Sequence, residues 1–312
     1  MNPNVFILVL NWNGKDLART CLNSLAKLNY DRYVVLALDN GSSDGSQEMI
    51  RREFPWVKLI ENGSNLGYAE GNNRGIKRAL DCGADYIFLV NNDSVLHPDV
   101  VSHLVHAASE NLEYGILGPL AYEFNSWDKP MHSGFHLDWN SKWVWPLKWG
   151  EPAEILADSS AVSSFDLVEG DAFFVRRDVF EKIGFLDSRF FLLFEEFDFC
   201  IRAKKEGFKV GIARDAKHQR RKSTTLGKYQ YRFRYYDTRN FLLFLLKNSG
   251  LRNKQQVLMH YLKRFKWDVE DRLSKDITKD FSHFFRFVGS LFPMLHGCFD
   301  FLIGRFGRLR LW

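Results

Sequence analysis

Three carboxylates fall within four positions, Glu195, Glu196 and Asp198, inside the run Phe190-Phe-Leu-Leu-Phe-Glu-Glu-Phe-Asp-Phe-Cys-Ile-Arg202. Acids set among so many aromatic side chains lose solvation, which raises a carboxyl pKa towards the range useful to a general base. The same residues also suit a helix N-terminus, where the dipole favours acids and Arg202 can pair with Asp198 at i,i+4. A second chemistry is offered by Asn91-Asn92-Asp93, directly after the apolar run Tyr86–Val90. A carboxylate there can hold Mg²⁺ or Mn²⁺, hard cations that keep several waters and take further oxygens from a diphosphate. Such a cation neutralises charge building on a departing nucleoside diphosphate. The structural alternative is a turn, with Asp93 capping a helix from about Pro98.

The third constellation is Leu38-Asp39-Asn-Gly41-Ser42-Ser-Asp44-Gly-Ser46, which ends a strand and opens a helix. Its amides and hydroxyls can face an anion or a base, with Asp39 accepting from a pyrimidine N–H and Asp44 capping the helix. Neither GxxxxGK[ST] nor GxGxxG occurs, which argues against P-loop and dinucleotide binding.

These residues need elements to carry them. Val5–Leu10, Tyr33–Asp39, Val57–Glu61 and Tyr86–Asn91 read as strands with amphipathic segments between, the rhythm of an α/β fold with a largely parallel sheet. Polar clusters follow each strand end, at Asn11–Gly14, Asp39–Gly45, Asn62–Gly67 and Asn91–Ser94. Any one is an ordinary turn, but ligands of open α/β sheets bind at the carboxyl ends of strands, and four polar clusters in a row point there. Residues 122–165 lose this rhythm and carry Trp127, Trp139, Trp143, Trp145 and Trp149, either platforms for sugar rings or a local aromatic core. Regular pattern returns at Phe165–Val175, with helices over Arg177–Ile183 and Glu195–Glu206.

At 312 residues the chain accommodates one large domain and an appendage. The boundary falls near residue 250: residues 1–250 hold 31 Lys/Arg against 32 Asp/Glu, and residues 251–312 hold 12 against 6. The net charge of +5 is therefore a property of the tail, which argues against a nucleic-acid-coating protein. Cys21, Cys82, Cys200 and Cys298 form no CxxC pair, so neither a zinc site nor a disulfide framework is indicated, and a reduced, cytoplasmic setting is expected. Val5–Leu10 is too short for a signal peptide or a membrane span. Residues 229–248 and 281–312 mix aromatic, apolar and basic residues. The latter suits either an amphipathic segment in a lipid headgroup layer on the inner face of a membrane or a helical subdomain packed on protein; Pro293, His296 and Asp300 interrupt it too often for spanning.

From about Val5 to about Asn248 the chain resembles the inverting family 2 glycosyltransferases of GT-A fold, particularly bacterial rhamnosyltransferase-like members. The resemblance rests on Leu8-Val-Leu-Asn-Trp-Asn-Gly14, Asp39–Ser46, Asn65-Leu-Gly-Tyr-Ala-Glu-Gly-Asn-Asn73, Asn91-Asn-Asp93, Val168-Glu-Gly-Asp171 and Glu195-Glu-Phe-Asp198 in this order. It implies a catalytic domain over 1–250, with a nucleotide-sugar-binding half (1–122) and an acceptor or catalytic half (123–250), and a helical extension over 251–312. Asn11, Asn13, Asp39, Gly41, Ser42, Asn65, Gly67, Asn72 or Asn73, Asn91 and Asn92 would line the donor site, with Asp39 looking like the base-recognition carboxylate. Asp93 corresponds to the last acid of the DxD metal motif, whose first acid is here Asn91. Glu196 inherits the role of base, with Glu195 and Asp198 as rivals. His218, in what reads as the loop Lys217–Thr225, would be a further metal or diphosphate contact, with Arg220, Arg221 and Lys222 closing over the diphosphate. Trp139, Gly170, Asp171 and Arg221 fall on the acceptor side. The implied partners are a dTDP- or UDP-sugar, dTDP-rhamnose being the one that the rhamnosyltransferase-like Asn91-Asn-Asp93 suggests, and a cell-surface glycan or its lipid-linked precursor. The competing readings are a sugar-1-phosphate nucleotidyltransferase, which Asn11-Trp-Asn-Gly14 does not suit, and a non-catalytic nucleotide-sugar or glycan-binding module.

Overall fold

The computed structural model describes residues 2–139, 147–221, 230–251, 253–263, 266 and 281–309. It divides into two compact units. The first takes in residues 1–136, 148–188 and 195–222, and the second residues 137–147, 189–194 and 223–312.

The first unit is built on a nine-stranded mixed sheet. Strands β1 (Val5–Asn11), β2 (Tyr33–Asp39), β3 (Lys58–Glu61) and β4 (Tyr86–Asn91) run parallel in the order β3-β2-β1-β4. Val5, Ile7, Leu8 and Val9 of β1 are buried on both faces, the pattern of a parallel strand covered on both sides by helices. The amphipathic helices α1 (Lys15–Leu25), α2 (Ser46–Glu53) and α3 (Gly67–Asp81) supply Cys21, Leu22, Ile50 and Ile76 to that cover. Each fully buried Phe or Leu of the sheet, Phe88 and Leu8 among them, contributes about 2–3 kcal/mol.

Beyond β4 the sheet departs from the simple rhythm. After the short strand β5 (Ser94–Leu96) and helix α4 (Val100–Glu110), strand β6 (Tyr114–Glu123) runs at the far side of β10 (Ala172–Arg176), which is antiparallel to both β4 and β6. Strand β11 (Lys209–Arg220) lies parallel to β6 and antiparallel to β5 and to β9 (Val162–Phe165). Two short strands, β7 (Phe135–Leu137) and β8 (Leu147–Trp149), pair with each other, and a short helix α5 (Pro152–Ala157) precedes β9. Helices α6 (Arg177–Ile183) and α7 (Glu195–Lys205) lie between β10 and β11 in sequence.

Three local expectations change. Asp93 does not cap α4: β5 intervenes, and Asp99 stands at the helix start. His218 is not in a loop. It belongs to β11, opposite Leu96 of β5 and Ala121 of β6, because pairing on both sides carries the strand to Arg220. The regular stretch over Phe165–Val175 is two strands, β9 and β10, separated by residues 166–171.

The second unit centres on α8 (Gln230–Asn248) and α9 (Phe281–Ile303). α9 runs on through Pro293, and the two polar residues that seemed to interrupt it make its packing face: His296 Nδ1 meets the Tyr231 hydroxyl at 2.8 Å, and Tyr235 donates to Asp300 at 2.6 Å. Gly297 lies so close to α8 that an added Cβ would stand 2.8 Å from the Tyr235 carbonyl oxygen. Phe292, Leu295, Phe299, Leu302 and Ile303 form the opposite, exposed stripe. No helix among the described residues is long and apolar enough to cross a membrane. The segment 189–194 holds Phe191, Leu193 and Phe194 at φ of +64°, +74° and +76°. Left-handed backbone at such bulky residues costs about 1–3 kcal/mol each.

Candidate active site

The strand-end clusters are joined by side-chain amides. Asn11, buried at the end of β1, donates through Nδ2 to Asp39 Oδ2 (3.3 Å) and Ser42 Oγ (3.2 Å), and its Oδ1 accepts from Asn92 at 2.7 Å. Asn13 accepts from the Ser43 amide at 2.8 Å, and its own amide donates to Ser42 Oγ at 2.9 Å. Asp39, fully buried, accepts on Oδ1 from the amides of Gly41 (3.1 Å) and Ser42 (2.9 Å) and from Gln47 Nε2 (2.6 Å). Oδ1 is thereby saturated, and Oδ2, with one long bond, keeps the remaining acceptor capacity. Asp44 accepts from the first amides of two helices, Lys15 of α1 (2.9 Å) and Ser46 of α2 (3.0 Å), so it fastens both to the same turn.

Just before α3, Asn65 accepts from the Gly67 amide at 2.9 Å. The structure separates the pair that follows. Asn73 uses both ends of its amide on the Leu186 backbone (2.9 and 3.1 Å), whereas buried Asn72 donates to the Tyr68 carbonyl and leaves Oδ1 without a partner. Asn91 closes β4 by donating its amide to the Asp171 carbonyl at 2.9 Å.

The second half of the site is a chain of largely covered charge. Asp171 lies directly before β10, and its Oδ2 sits 3.1 Å from His218 Nε2 and 3.4 Å from Arg220 Nη1. Arg220 also donates to Glu169 at 2.5 Å. Burial pushes both acids up. For Glu169 that cost wins, with the Asp171 charge adding to it; for Asp171 the facing His218 and Arg220 overcome it and hold the carboxyl below the usual range. Asp93 is raised by burial and by Asp171, with Arg220 and His218 offsetting in part.

Glu196 opens α7 beside this chain. Burial pushes its carboxyl up to about 7, N–H groups of Glu196 and Gly170 partly offset that, and the Asp171 charge adds to it. Its Oε2 is enclosed and has no hydrogen-bond partner. Gly170 makes room there for Tyr68. A Cβ would stand 2.9 Å from the Tyr68 hydroxyl and 3.5 Å from Glu196 Cβ. The Tyr68 hydroxyl donates to the Gly170 carbonyl, and burial, with the charges of Glu196, Glu195 and Asp171, keeps it protonated. Glu195 is buried one position earlier. Asp198 has a structural partner, Arg202 Nε at 2.9 Å, and Arg202 also donates to the carbonyls of Ile183 and Phe185.

Arg220 does not simply stand in solvent: its side chain is 21% exposed. It is partly buried and held by Glu169 and Asp171. Arg221 lies with its guanidinium 3.9 Å from the centre of the Phe124 ring. Trp127 packs edge-on against His97, Trp149 packs on Phe135, and Trp139, in the second unit, stacks on Phe244, yet each stays more than a third exposed, so ring packing and an available face coexist. Trp143, Trp145 and Lys222 lie outside the described residues. Sequence reasoning missed Glu169, Arg220 as a bridge, and Tyr68, although all three stand inside the segments it singled out. An acid before a glycine in an otherwise apolar run was the available signal for Glu169.

Among the described residues no three His, Cys, Asp or Glu side chains form a ready-made metal centre. What is present is the Asp93 carboxylate and, in the same charge group, His218, whose buried Nδ1 has no partner while Nε2 is held by Asp171. That donor set fits a hard cation that takes most of its oxygens from water and a diphosphate.

A mixed sheet whose leading four strands are parallel, with polar clusters at their carboxyl ends and a buried acid beyond, is the GT-A-like architecture of glycosyltransferases. The chain superposes on a mannosyltransferase from Pyrobaculum calidifontis in complex with GDP-Man and Mn²⁺ with a TM-score of 0.59, at 13% identity, covering 97% of this chain and 88% of that one. It is 30% identical over 193 residues to an N-acetylglucosaminyl-diphospho-decaprenol L-rhamnosyltransferase of Mycobacterium tuberculosis (56% of this chain, 62% of the relative). It is 26% identical over 258 residues to the dTDP-rhamnosyl transferase RfbF of Shigella flexneri (80% and 82%). Residues 6–184 match the model for glycosyl transferase family 2, and the chain belongs to that family. It is a glycosyltransferase.

Proposed function

We propose that this protein transfers a sugar, with inversion, from a nucleoside-diphosphate donor to a hydroxyl of a cell-surface glycan or its lipid-linked precursor, and that dTDP-rhamnose is the donor. The observation that carries the catalytic reading is Glu196: an enclosed carboxylate with an unpartnered Oε2 and a pKa pushed up to about 7. Glu196 takes the proton from the acceptor hydroxyl, whose oxygen attacks the anomeric carbon opposite the leaving diphosphate. The donor lies at the strand ends, on the turn that Asn11, Asn13, Asp39 and Ser42 hold, with Asn65, Asn72, Asn91 and Asn92 along its rim. Asp39 reaches a base edge through Oδ2. The dTDP preference is supported by the likeness to the Shigella dTDP-rhamnosyl transferase, and the rhamnosyl part of the reading also by the likeness to the Mycobacterium L-rhamnosyltransferase. Asp93 and His218 would hold Mg²⁺ or Mn²⁺, which when bound neutralises charge on the departing diphosphate.

The acceptor would be brought by a membrane surface. The exposed stripe of Phe292, Leu295, Phe299, Leu302 and Ile303, with Arg305 and Arg308 after it, suits the headgroup layer of an anionic leaflet. A silent binding module has no use for an unpartnered buried acid. Thermal shift with dTDP-, UDP- and GDP-sugars, each with Mn²⁺ and with EDTA, tests the donor: the largest stabilisation is expected with dTDP-rhamnose and Mn²⁺. Equal shifts for all three nucleotides would remove the rhamnosyl assignment.

A further inference from the structure

Trp149 closes β8 and is held from one side. Its ring lies on Phe135, centroids 4.1 Å apart at 36°, and Phe135 in turn meets Phe197 edge-on at 5.0 Å. Phe135 and Phe197 are buried, whereas Trp149 keeps 40% of its surface exposed. The indole is thus anchored on a core while part of the ring faces solvent. A single exposed apolar side chain is ordinary. What sets this one apart is its place: Phe197 follows Glu196 on α7, so Trp149 stands two ring contacts from the residue next to the base.

The backbone ties the ring to the same neighbourhood. Phe135 donates its amide to the Leu167 carbonyl (2.9 Å), and its own carbonyl accepts from the amides of Asp166 (2.9 Å) and Leu167 (3.2 Å). Leu167 leads through Val168 into Glu169, Gly170 and Asp171 of the charge group. The strand carrying Trp149 is registered on the Phe135 strand by Gly150, whose amide donates to the Gly134 carbonyl at 3.0 Å and whose carbonyl accepts from the Ser133 amide at 3.2 Å. A Cβ at Gly150 would stand 2.5 Å from the Ser133 carbonyl oxygen, so this approach needs glycine. Beside the indole lies the His132 ring, centroids 6.1 Å apart, with its Nδ1 3.2 Å from Glu151 Oε2; both of these side chains are more than half exposed. All of these residues belong to the first unit.

An anchored aromatic ring with an exposed polar pair at its edge is the chemistry that recognises a sugar: the C–H face of a pyranose lies on the indole, and its hydroxyls bond to imidazole and carboxylate. The Glu151 charge repels an acidic sugar. We infer that Trp149, with His132 and Glu151 at its edge, is a subsite for a neutral pyranose of the acceptor, holding the glycan beside Glu196. The inference deepens the proposed transfer and rests on the acceptor being a glycan.

The test reads binding to the full chain, without turnover, by saturation-transfer NMR. The probes are methyl β-glucoside, methyl β-N-acetylglucosaminide and methyl β-glucuronide. Wild-type protein is expected to pass saturation to the ring C–H protons of the two neutral glycosides, and about threefold less to the glucuronide. Trp149→Ala, its fold checked by circular dichroism, should lower the neutral signals about tenfold, and Trp149→Phe, which keeps a ring, only about twofold. Trp56→Ala removes an equally exposed ring on the turn before β3 and should match the wild type. Undiminished transfer in folded Trp149→Ala would overturn the inference, as would an equal loss in Trp56→Ala, a stronger signal from the glucuronide, or no transfer to any probe in the wild type. Glu196→Gln should keep the wild-type signal, because the subsite does not need the base. Turnover by Glu196→Gln with that signal intact removes Glu196 from the mechanism and leaves the subsite standing.

Discussion

The two halves of the site are built on opposite principles. At the strand ends, amides and hydroxyls close on one another and on the carboxylates of Asp39 and Asp44, and Asn11, Asn13 and Ser42 each have partners on more than one side. Around Glu196 the groups are charged, crowded and incompletely satisfied, with Glu196 Oε2 and His218 Nδ1 unpartnered. A saturated network costs little to keep and holds a fixed shape for binding; a buried charge group is expensive and worth keeping where its protonation is used. Changes in the first half should therefore act on donor affinity, and changes in the second on turnover.

The sharpest break is Glu196→Gln. If the second half carries the chemistry, kcat falls about 10²–10⁴-fold while nucleotide-sugar affinity by calorimetry stays within about threefold. Loss of affinity together with turnover would erase the division between the halves.

Gly170→Ala comes next. The added methyl group would stand 2.9 Å from the Tyr68 hydroxyl, which must then shift from its place beside Glu196, while its contact with Glu196 Cβ, at 3.5 Å, is an ordinary one. A drop in kcat on the order of 10²-fold is expected. Adding Tyr68→Phe removes the oxygen that the methyl meets and should recover part of it. A double variant as poor as the single one would show that Tyr68 is not the obstacle.

The wild-type pH profile is the third test. A base must be deprotonated to act, so with the carboxyl raised to about 7 by burial, kcat should rise tenfold per pH unit below about 7 and level off above it. A flat profile from pH 5 to 8 would place the working acid among unperturbed carboxylates.

How far the sequence revealed this depends on the range of the contact. The parallel strands and the polar clusters after them follow from local pattern, and Asp198 with Arg202 follows from helix spacing. The charge group does not. Arg220 meets Glu169 across 51 positions, Tyr68 meets Gly170 across 102, and Asn73 meets Leu186 across 113. Residues 217–220 read as a basic loop because Lys217, His218 and Arg220 are polar. They form a strand because β5 and β6 pair with them from either side, and tertiary pairing outweighs local propensity.

The smallest effect expected tests the first half directly. Asn11→Ala removes three hydrogen bonds at once, those to Asp39, Ser42 and Asn92, and leaves the Ser42 hydroxyl and the Asn92 amide to find other partners. Each such bond contributes about 1 kcal/mol net, and water entering the opened turn replaces part of it. The turn that receives the nucleotide loosens by an amount worth about a fivefold to tenfold rise in donor KM, while kcat at saturating donor holds because nothing near Glu196 has moved. The ratio is the readout. A fall in kcat with KM unchanged would mean that the amide network reaches the charge group through Asn92 and Asp93, and that the two halves of the site are one.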